Sequence, residues 1–165
     1  MTAELHPLFE AFREDHALLG KGFYELSTCL RAKDVRCARQ AAERLNEEAG
    51  AHIAFEEETF YPTLARRQSY DAERLYEEHS EGLTVVRAVL DMDESEEMTD
   101  AKQRALLADS ESMEEHIAEC GELFEAMRTM PDDELRHLYD ALVAWREKKP
   151  TWLEYDRSRR KVPVC

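Results

Sequence analysis

Glycine and proline are scarce in this sequence, with five of each among 165 residues. A sandwich or barrel of short β-strands needs a turn about every ten residues, and these two residues supply many such turns. Their scarcity argues against an all-β fold and against a low-complexity chain. The length is that of one domain, since domains usually have about 100–200 residues. Composition therefore favours a single helical domain.

Long apolar runs and an excess of basic residues are missing as well. No apolar stretch is long enough to span a membrane, and the first residues lack the basic start and apolar core of a secretory signal. The 37 acidic residues outnumber the 22 basic ones, so the net charge is −15. That charge disfavours contact with nucleic acid or anionic lipid. We expect a soluble, cytoplasmic protein with no nucleic-acid partner and no membrane partner.

The cysteines are too few for the disulfide framework of a small secreted scaffold, and they form no Cys-x-x-Cys pair. There are four of them: Cys29, Cys37, Cys120 and Cys165. Reduced thiols are therefore expected, of which at most one takes part in the chemistry of a site.

Apolar residues recur at steps of three and four along most of the chain, the spacing of one face of an α-helix. The pattern predicts four long helices: residues 3–32, 34 to about 62, about 72–90, and about 101 to just before 131. Asp34 is expected to cap the second helix, and Pro62 to kink or break its last turn. The acidic stretch 91–100 is predicted to be a loop.

Four long amphipathic helices with short connections favour an all-α fold, an up-down-up-down four-helix bundle with the apolar stripes turned inward. A short fifth helix over residues 132–148 is predicted to pack outside the bundle and to complete a domain of residues 1–147. Residues 148–165 form a basic tail with six basic and two acidic side chains. This tail is expected either to be solvated or to dock on the acidic body through Trp152, Leu153 and Tyr155.

Four of the six histidines lie on the inward stripes, one on each bundle helix: His16, His52, His79 and His116. A single histidine there is more often satisfied by a neighbouring carbonyl than bound to a metal. Four together would leave several buried nitrogens to satisfy, and a shared metal ion satisfies them at once. The spacing along the chain brings the histidines together. His16 and His52 lie at similar distances before and after the first turn, and His79 and His116 have nearly the same separation in the second half of the chain. The remaining histidines, 6 and 137, are expected at the surface.

A carboxylate accompanies the second histidine. Glu56 lies one helical turn after His52, so that both can reach one ion or bridge two. Of the run Glu56-Glu57-Glu58, the periodicity places only Glu56 on the inward stripe, and its neighbours are expected in solvent. Three tyrosines are possible hydrogen-bond donors or oxygen ligands, although their hydroxyls are expected in solvent: Tyr24, Tyr61 and Tyr76.

The second half of the chain offers a different group at the corresponding place. One turn after His116 lies Cys120, a soft thiol that could bind a metal as thiolate. Buried cysteines are often inert core residues, and in that case Glu119 could turn inward instead. Cys120 and Glu119 are therefore alternative ligands.

One inward histidine per helix, the His52-x-x-x-Glu56 pair and the stretch Glu56 to Pro62 together resemble the hemerythrin-like HHE cation-binding domain family, over roughly residues 4–130. The resemblance implies a four-helix bundle that holds a non-haem di-iron centre, with histidines as terminal ligands and carboxylates as bridges. Carried over by position, the ligands are His16, His52, Glu56, His79 and His116, with Glu56 as a bridge. The family's second His-x-x-x-Glu pair is missing here, because Cys120 takes the place of its glutamate.

The sequence thus predicts a metalloprotein with iron as cofactor, two non-haem ions by the resemblance, and zinc as the alternative metal. Its expected partner is a small ligand: oxygen, nitric oxide or hydrogen peroxide. One alternative is an iron-dependent enzyme that removes peroxide or nitric oxide or repairs iron clusters. The other is a zinc-containing or metal-free bundle with a structural or interaction role.

Overall fold

The computed structural model describes residues 6–67, 72–119 and 121–160, and every regular element in these ranges is helical. The α-helices are α1 (Pro7–Arg31), α2 (Val35–Phe55), α3 (Tyr61–Arg67), α4 (Ala72–Leu90), α5 (Asp100–Ala118), α6 (Gly121–Arg128), α7 (Asp132–Lys148) and α8 (Trp152–Arg160). A π-helical turn, Glu56–Phe60, joins α2 to α3. None of the helices in these ranges combines the length and the apolar character that a membrane span requires. The predicted all-α class is confirmed.

The four long helices pack around an interior that contains two clusters of buried side chains. Helix α1 packs on α2 and α5, and α4 packs on the same two helices, so the four contacts close a ring. One cluster of buried side chains fills the interior around Phe23 and Val86, and a second surrounds Phe12 and Phe60 under α6 and α7. The fifth helix of the sequence pattern, α7, packs against α1 and α2.

The connection between α1 and α2 is short and well specified. Asp34 caps α2 as predicted, since its Oδ1 accepts a hydrogen bond of 2.9 Å from the backbone N–H of Cys37. The expectation of reduced thiols is wrong for one pair, because Cys29 and Cys37 are joined in a disulfide. The turn brings the last turn of α1 beside the first turn of α2, with 5.5 Å between the two Cα atoms. Cys120 and Cys165 lie outside the described residues.

Pro62 does not end the second helix. Proline has no N–H to donate within a helix, and the chain accommodates it by widening the turn just before it into the π-helical turn Glu56–Phe60. The backbone N–H of Tyr61 bonds to the carbonyl of Glu56, five residues back. The extra residue in this turn changes which side chains face inward, and this decides the composition of the site described below.

The fourth long helix is shorter than predicted. Helix α5 ends at Ala118 and a separate helix, α6, begins at Gly121. Glycine is a poor helix former, which favours an interruption at this point. The acidic segment before α5 is a loop as expected, and Thr99 caps the helix by accepting from the N–H of Lys102.

Residues 152–160 form α8, which lies on α2. Trp152 and Tyr155 are buried, at 2% and 4% exposure, and the ring of Trp152 lies 6.3 Å from that of Phe23. The backbone N–H of Leu153 donates to Asn46 of α2 at 3.0 Å. The aromatic residues of the basic segment thus dock it on the bundle.

Gly50 of α2 makes the close approach to α8 possible. A Cβ at this position would lie 2.0 Å from the carbonyl oxygen of Pro150 and 2.5 Å from the backbone of Thr151. Gly50→Ala is therefore expected to destabilise the protein by about 1–3 kcal/mol, because backbone has to move. Chemical denaturation measures the change.

Gly20→Ala is the matched control for this substitution. Among the described residues, a Cβ at Gly20, inside α1, would meet only Ile117, at an ordinary contact distance of 3.6 Å. Alanine is the better helix former, so stability should rise by up to about 1 kcal/mol. Equal effects of the two substitutions would contradict the steric explanation.

Candidate metal centre

The four inward histidines meet inside the bundle. They form two pairs, with 4.7 Å between the ring centroids of His16 and His52, and 5.6 Å between those of His79 and His116. Glu56 lies among them: its Oε1 is 3.2 Å from His52 Nε2 and 3.7 Å from His16 Nε2. Its Oε2 is 3.1 Å from His79 Nε2. One carboxylate thus faces a histidine of each pair.

Two buried atoms of this cluster have no hydrogen-bond partner in the described part of the chain. They are Nε2 of His52 and Oε1 of Glu56, which are close but poorly oriented for a hydrogen bond with each other. Such a buried polar atom costs about 1–3 kcal/mol. Together with His16 these residues offer ligand atoms within 4.8 Å of one another and could hold a metal ion. A cation between them would satisfy both orphaned atoms, so the donor set fits a metal.

Each of the four histidines is oriented by a hydrogen bond at Nδ1. The acceptor for His16 is the carbonyl of Phe12 at 2.8 Å, and the acceptor for His52 is Asp15 at 2.9 Å. The acceptor for His79 is Glu57 at 3.0 Å, and the acceptor for His116 is Glu78. Since carbonyl and carboxylate oxygens only accept, Nδ1 carries the hydrogen in each case. Metal-binding histidines are commonly held in this way, with Nε2 turned to the metal.

Two of these acids occupy equivalent places in the two halves of the chain. Asp15 precedes His16 and bonds to His52, while Glu78 precedes His79 and bonds to the histidine of α5. Sequence reasoning missed both acids. The repeated acid-histidine pair on the first helix of each half was the signal that could have found them.

Glu57 is buried, against the expectation that it lies in solvent. Its exposure is 7%, whereas Glu58 is exposed as predicted. The expectation assumed a regular helix, and the π-helical turn rotates Glu57 inward beside Glu56. It can therefore accept from His79.

Tyr61 is another residue for which the sequence expectation is wrong. It is fully buried, and its hydroxyl donates to Glu56 Oε2 at 3.0 Å and lies 3.1 Å from His79 Nε2. Tyr76 also has its hydroxyl bonded, to the carbonyl of Glu57 at 3.0 Å. Tyr24 is 61% exposed, as expected.

Phenylalanine rings close one side of the centre. The ring of Phe12 is tilted against both histidines of the first pair, with 4.1 Å between its centroid and that of His16 and 5.1 Å to that of His52. Phe60 and Phe124 pack edge-on against Phe12. This apolar wall excludes water from the first histidine pair and lowers the local polarity.

The metal-free cluster carries positive charge on two histidines. Burial alone would lower the pKa of His52, but the negative charges of Glu56 and Asp15 outweigh it and raise the pKa to about 9. Burial is likewise outweighed at His79, where bonds to Glu56 and Glu57 raise the pKa to about 9. Burial and the charge of His52 lower the pKa of His16 to about 4. Although burial opposes ionisation of Glu56, the two charged histidines hold its pKa well below the usual range.

Metal uptake should therefore release protons. At pH 7 His52 and His79 are protonated while Glu56 is already ionised, so metal ions that bind these two histidines displace about two protons per chain. Affinity should accordingly rise with pH until these two histidines lose their protons near pH 9. Calorimetric titration in buffers of different ionisation enthalpy counts the protons. Uptake without proton release would contradict the assignment of both histidines.

The two alternative ligands of the second half have different outcomes. Glu119 is turned away from the centre, with 71% of its side chain exposed and Arg74 Nη2 at 3.9 Å. Cys120 lies outside the described residues. His6 caps α1 by accepting from the N–H of Leu8, and His137 is exposed, so neither joins the cluster.

Comparison with known proteins gives one finding. The family model described as "Hemerythrin HHE cation binding domain" matches residues 8–142, which include all four clustered histidines and Glu56. A search of curated proteins and a search of solved structures each found no match. Because the match covers most of the sequence and the described helices bring a buried histidine and glutamate cluster together, the chain belongs to the hemerythrin HHE cation-binding domain family.

Proposed function

We propose that this protein holds a non-haem centre of two irons and uses it to bind or sense a small ligand: oxygen, nitric oxide or hydrogen peroxide. The observation that carries the proposal is the position of Glu56. Its two oxygens face different histidine pairs, Oε1 towards His16 and His52 and Oε2 towards His79. A carboxylate in this place could serve two ions as a bridge.

The ligand assignment follows the two pairs. One ion would be held by His16, His52 and an oxygen of Glu56, and the other would be held by His79, His116 and the second oxygen. Three protein donors for each ion leave coordination positions open, unlike a closed structural site. Iron with open positions supplies the chemistry needed to bind dioxygen, nitric oxide or peroxide.

The surrounding residues have separate tasks in this proposal. Tyr61 holds Glu56 in its bridging orientation by donating to Oε2. Asp15 and Glu57 fix the ring orientations of His52 and His79. The ring of Phe12 keeps water from one face of the site.

The proposal also includes the up-down-up-down course of the four long helices. Only residues 32–34 separate α1 from α2, and so short a turn favours antiparallel neighbours. The proximity of His16 to His52 is consistent with that course, since the two residues lie at similar distances from this turn.

Exposure of the iron-loaded protein to each ligand tests the function. The ferrous protein is prepared without oxygen, and its absorption spectrum is recorded before and after addition of oxygen, nitric oxide or peroxide. We expect new absorption bands with at least one of them, and no such bands with the protein loaded with zinc. An iron-loaded protein whose spectrum is unchanged by all three would contradict the proposal. Continued consumption of the ligand would favour the enzyme alternative.

A further inference from the structure

Glu57 connects the metal centre to α8. Its Oε1 accepts from His79 Nδ1 at 3.0 Å, and its Oε2 accepts from the guanidinium of Arg159 and from the hydroxyl of Tyr155 at 3.2 Å. The same hydroxyl lies 2.8 Å from Glu58 Oε1, so its one hydrogen is shared between the two carboxylates. The two oxygens of the buried Glu57 side chain thus accept hydrogen bonds from opposite sides, one from the metal centre and one from α8. His79 lies inside the bundle, whereas Tyr155 and Arg159 come from a helix beyond the end of the family match at residue 142.

Glu57 borders an open space beside α8. A cavity of about 540 Å³ lies between the π-helical turn, α4 and α8, and Glu57, Tyr155 and Arg159 are among its lining residues. A carboxylate beside such a cavity can turn towards water. The two donors of α8 hold Oε2 on one side, which keeps Oε1 directed at His79.

The position of α8 does not depend on these two donors. Trp152 is buried against Phe23, Leu153 bonds to Asn46 through its backbone, and Asp156 bonds to Arg87 at 3.0 Å. The side chain of Arg159 is 46% exposed. Its guanidinium can therefore be replaced without emptying the core.

We propose that Tyr155 and Arg159 of α8 are positioning residues for the metal centre, because they hold Glu57 in the orientation that fixes the His79 ring. This inference rests on the proposed metal centre, but it does not require that the metal be iron or that the ligand be a gas. Orienting partners beyond the metal ligands typically change metal affinity by 10- to 100-fold. A comparable effect is expected here, transmitted through Glu57.

Binding of Co²⁺ to single and double variants of the full chain tests the proposal, because the visible spectrum of bound Co²⁺ reports the geometry of its ligands. The variant Tyr155→Phe with Arg159→Gln should bind Co²⁺ on the order of 10-fold more weakly and show a shifted spectrum. Phenylalanine keeps the ring that packs on Trp145. Tryptophan fluorescence, from the two tryptophans near α8, should be unchanged and so show that the helix stays docked.

Two further variants separate positioning from charge. Arg157→Gln removes the same charge from an exposed place on α8 and should bind as the wild type does. Arg159→Lys retains a donor and a charge, so it should recover most of the affinity lost in Arg159→Gln.

The outcomes distinguish this inference from the proposed function. If the wild-type protein binds Co²⁺ and the double variant has the same affinity and spectrum, the proposed role of α8 is overturned and the proposed function is not. Wild-type protein that binds no metal would contradict the proposed function and the inference with it. An equal loss in Arg157→Gln would show a general charge effect and also overturn the positioning role.

Discussion

Glu56→Ala is expected to abolish stable metal binding. Glu56 is the one carboxylate in the described residues that lies within 4 Å of both histidine pairs. In the proposed centre, its loss would remove a ligand from each ion and the negative charge that offsets two cations. After loading and dialysis, metal content measured by mass spectrometry should fall to the background of the method.

Neighbouring glutamates provide the controls for this substitution. Glu58→Ala removes the same side chain from an exposed position two residues away and should retain the full metal content. Glu57→Ala should retain metal with reduced affinity, on the order of 10-fold, because it frees the His79 ring without removing a ligand. Equal metal content in all three variants would contradict the assignment of Glu56.

Removal of the metal should lower the melting temperature by roughly 5–20 °C. Two buried atoms then lose their partner, which costs about 1–3 kcal/mol for each atom. In a domain of this size, 1 kcal/mol corresponds to a change of about 2–4 °C in melting temperature. The orphaned atoms are His52 Nε2 and Glu56 Oε1. Thermal unfolding followed by circular dichroism, before and after chelation, measures the shift.

Glu56→Ala also serves as the control for chelation. Because this variant is expected to hold no metal, its melting temperature should not respond to the chelator. An unchanged melting temperature in wild-type protein that initially contains metal would show that the centre is not needed for stability. A shift of equal size in the variant would point to an effect of the chelator itself.

The inward position of each histidine was predictable because it depends on helix periodicity alone. The stripe that contains Phe12 and His16 and the stripe that contains His52 and Phe55 each need only a regular helix to face inward. Asp34 was predictable for the same reason, since a cap is a local feature. Such features follow from a few neighbouring residues and need no knowledge of how the helices pack.

The features that the sequence did not predict arise where regular geometry is interrupted or where distant segments meet. The π-helical turn before Pro62 brings Glu57 inward, and no pattern of apolar residues marks such a turn. The Cys29–Cys37 disulfide depends on how α1 and α2 face each other across their turn. Contacts of Glu57 with α8 join residues about a hundred positions apart, 98 for Tyr155 and 102 for Arg159.

The number of metal ions per chain tests the central claim most directly. Protein loaded with ferrous iron without oxygen, freed of unbound metal and analysed by mass spectrometry should contain two irons per chain, and Glu56→Ala should contain none. One metal ion per chain, iron or zinc, with the same content after Glu56→Ala, would contradict a centre bridged by this carboxylate.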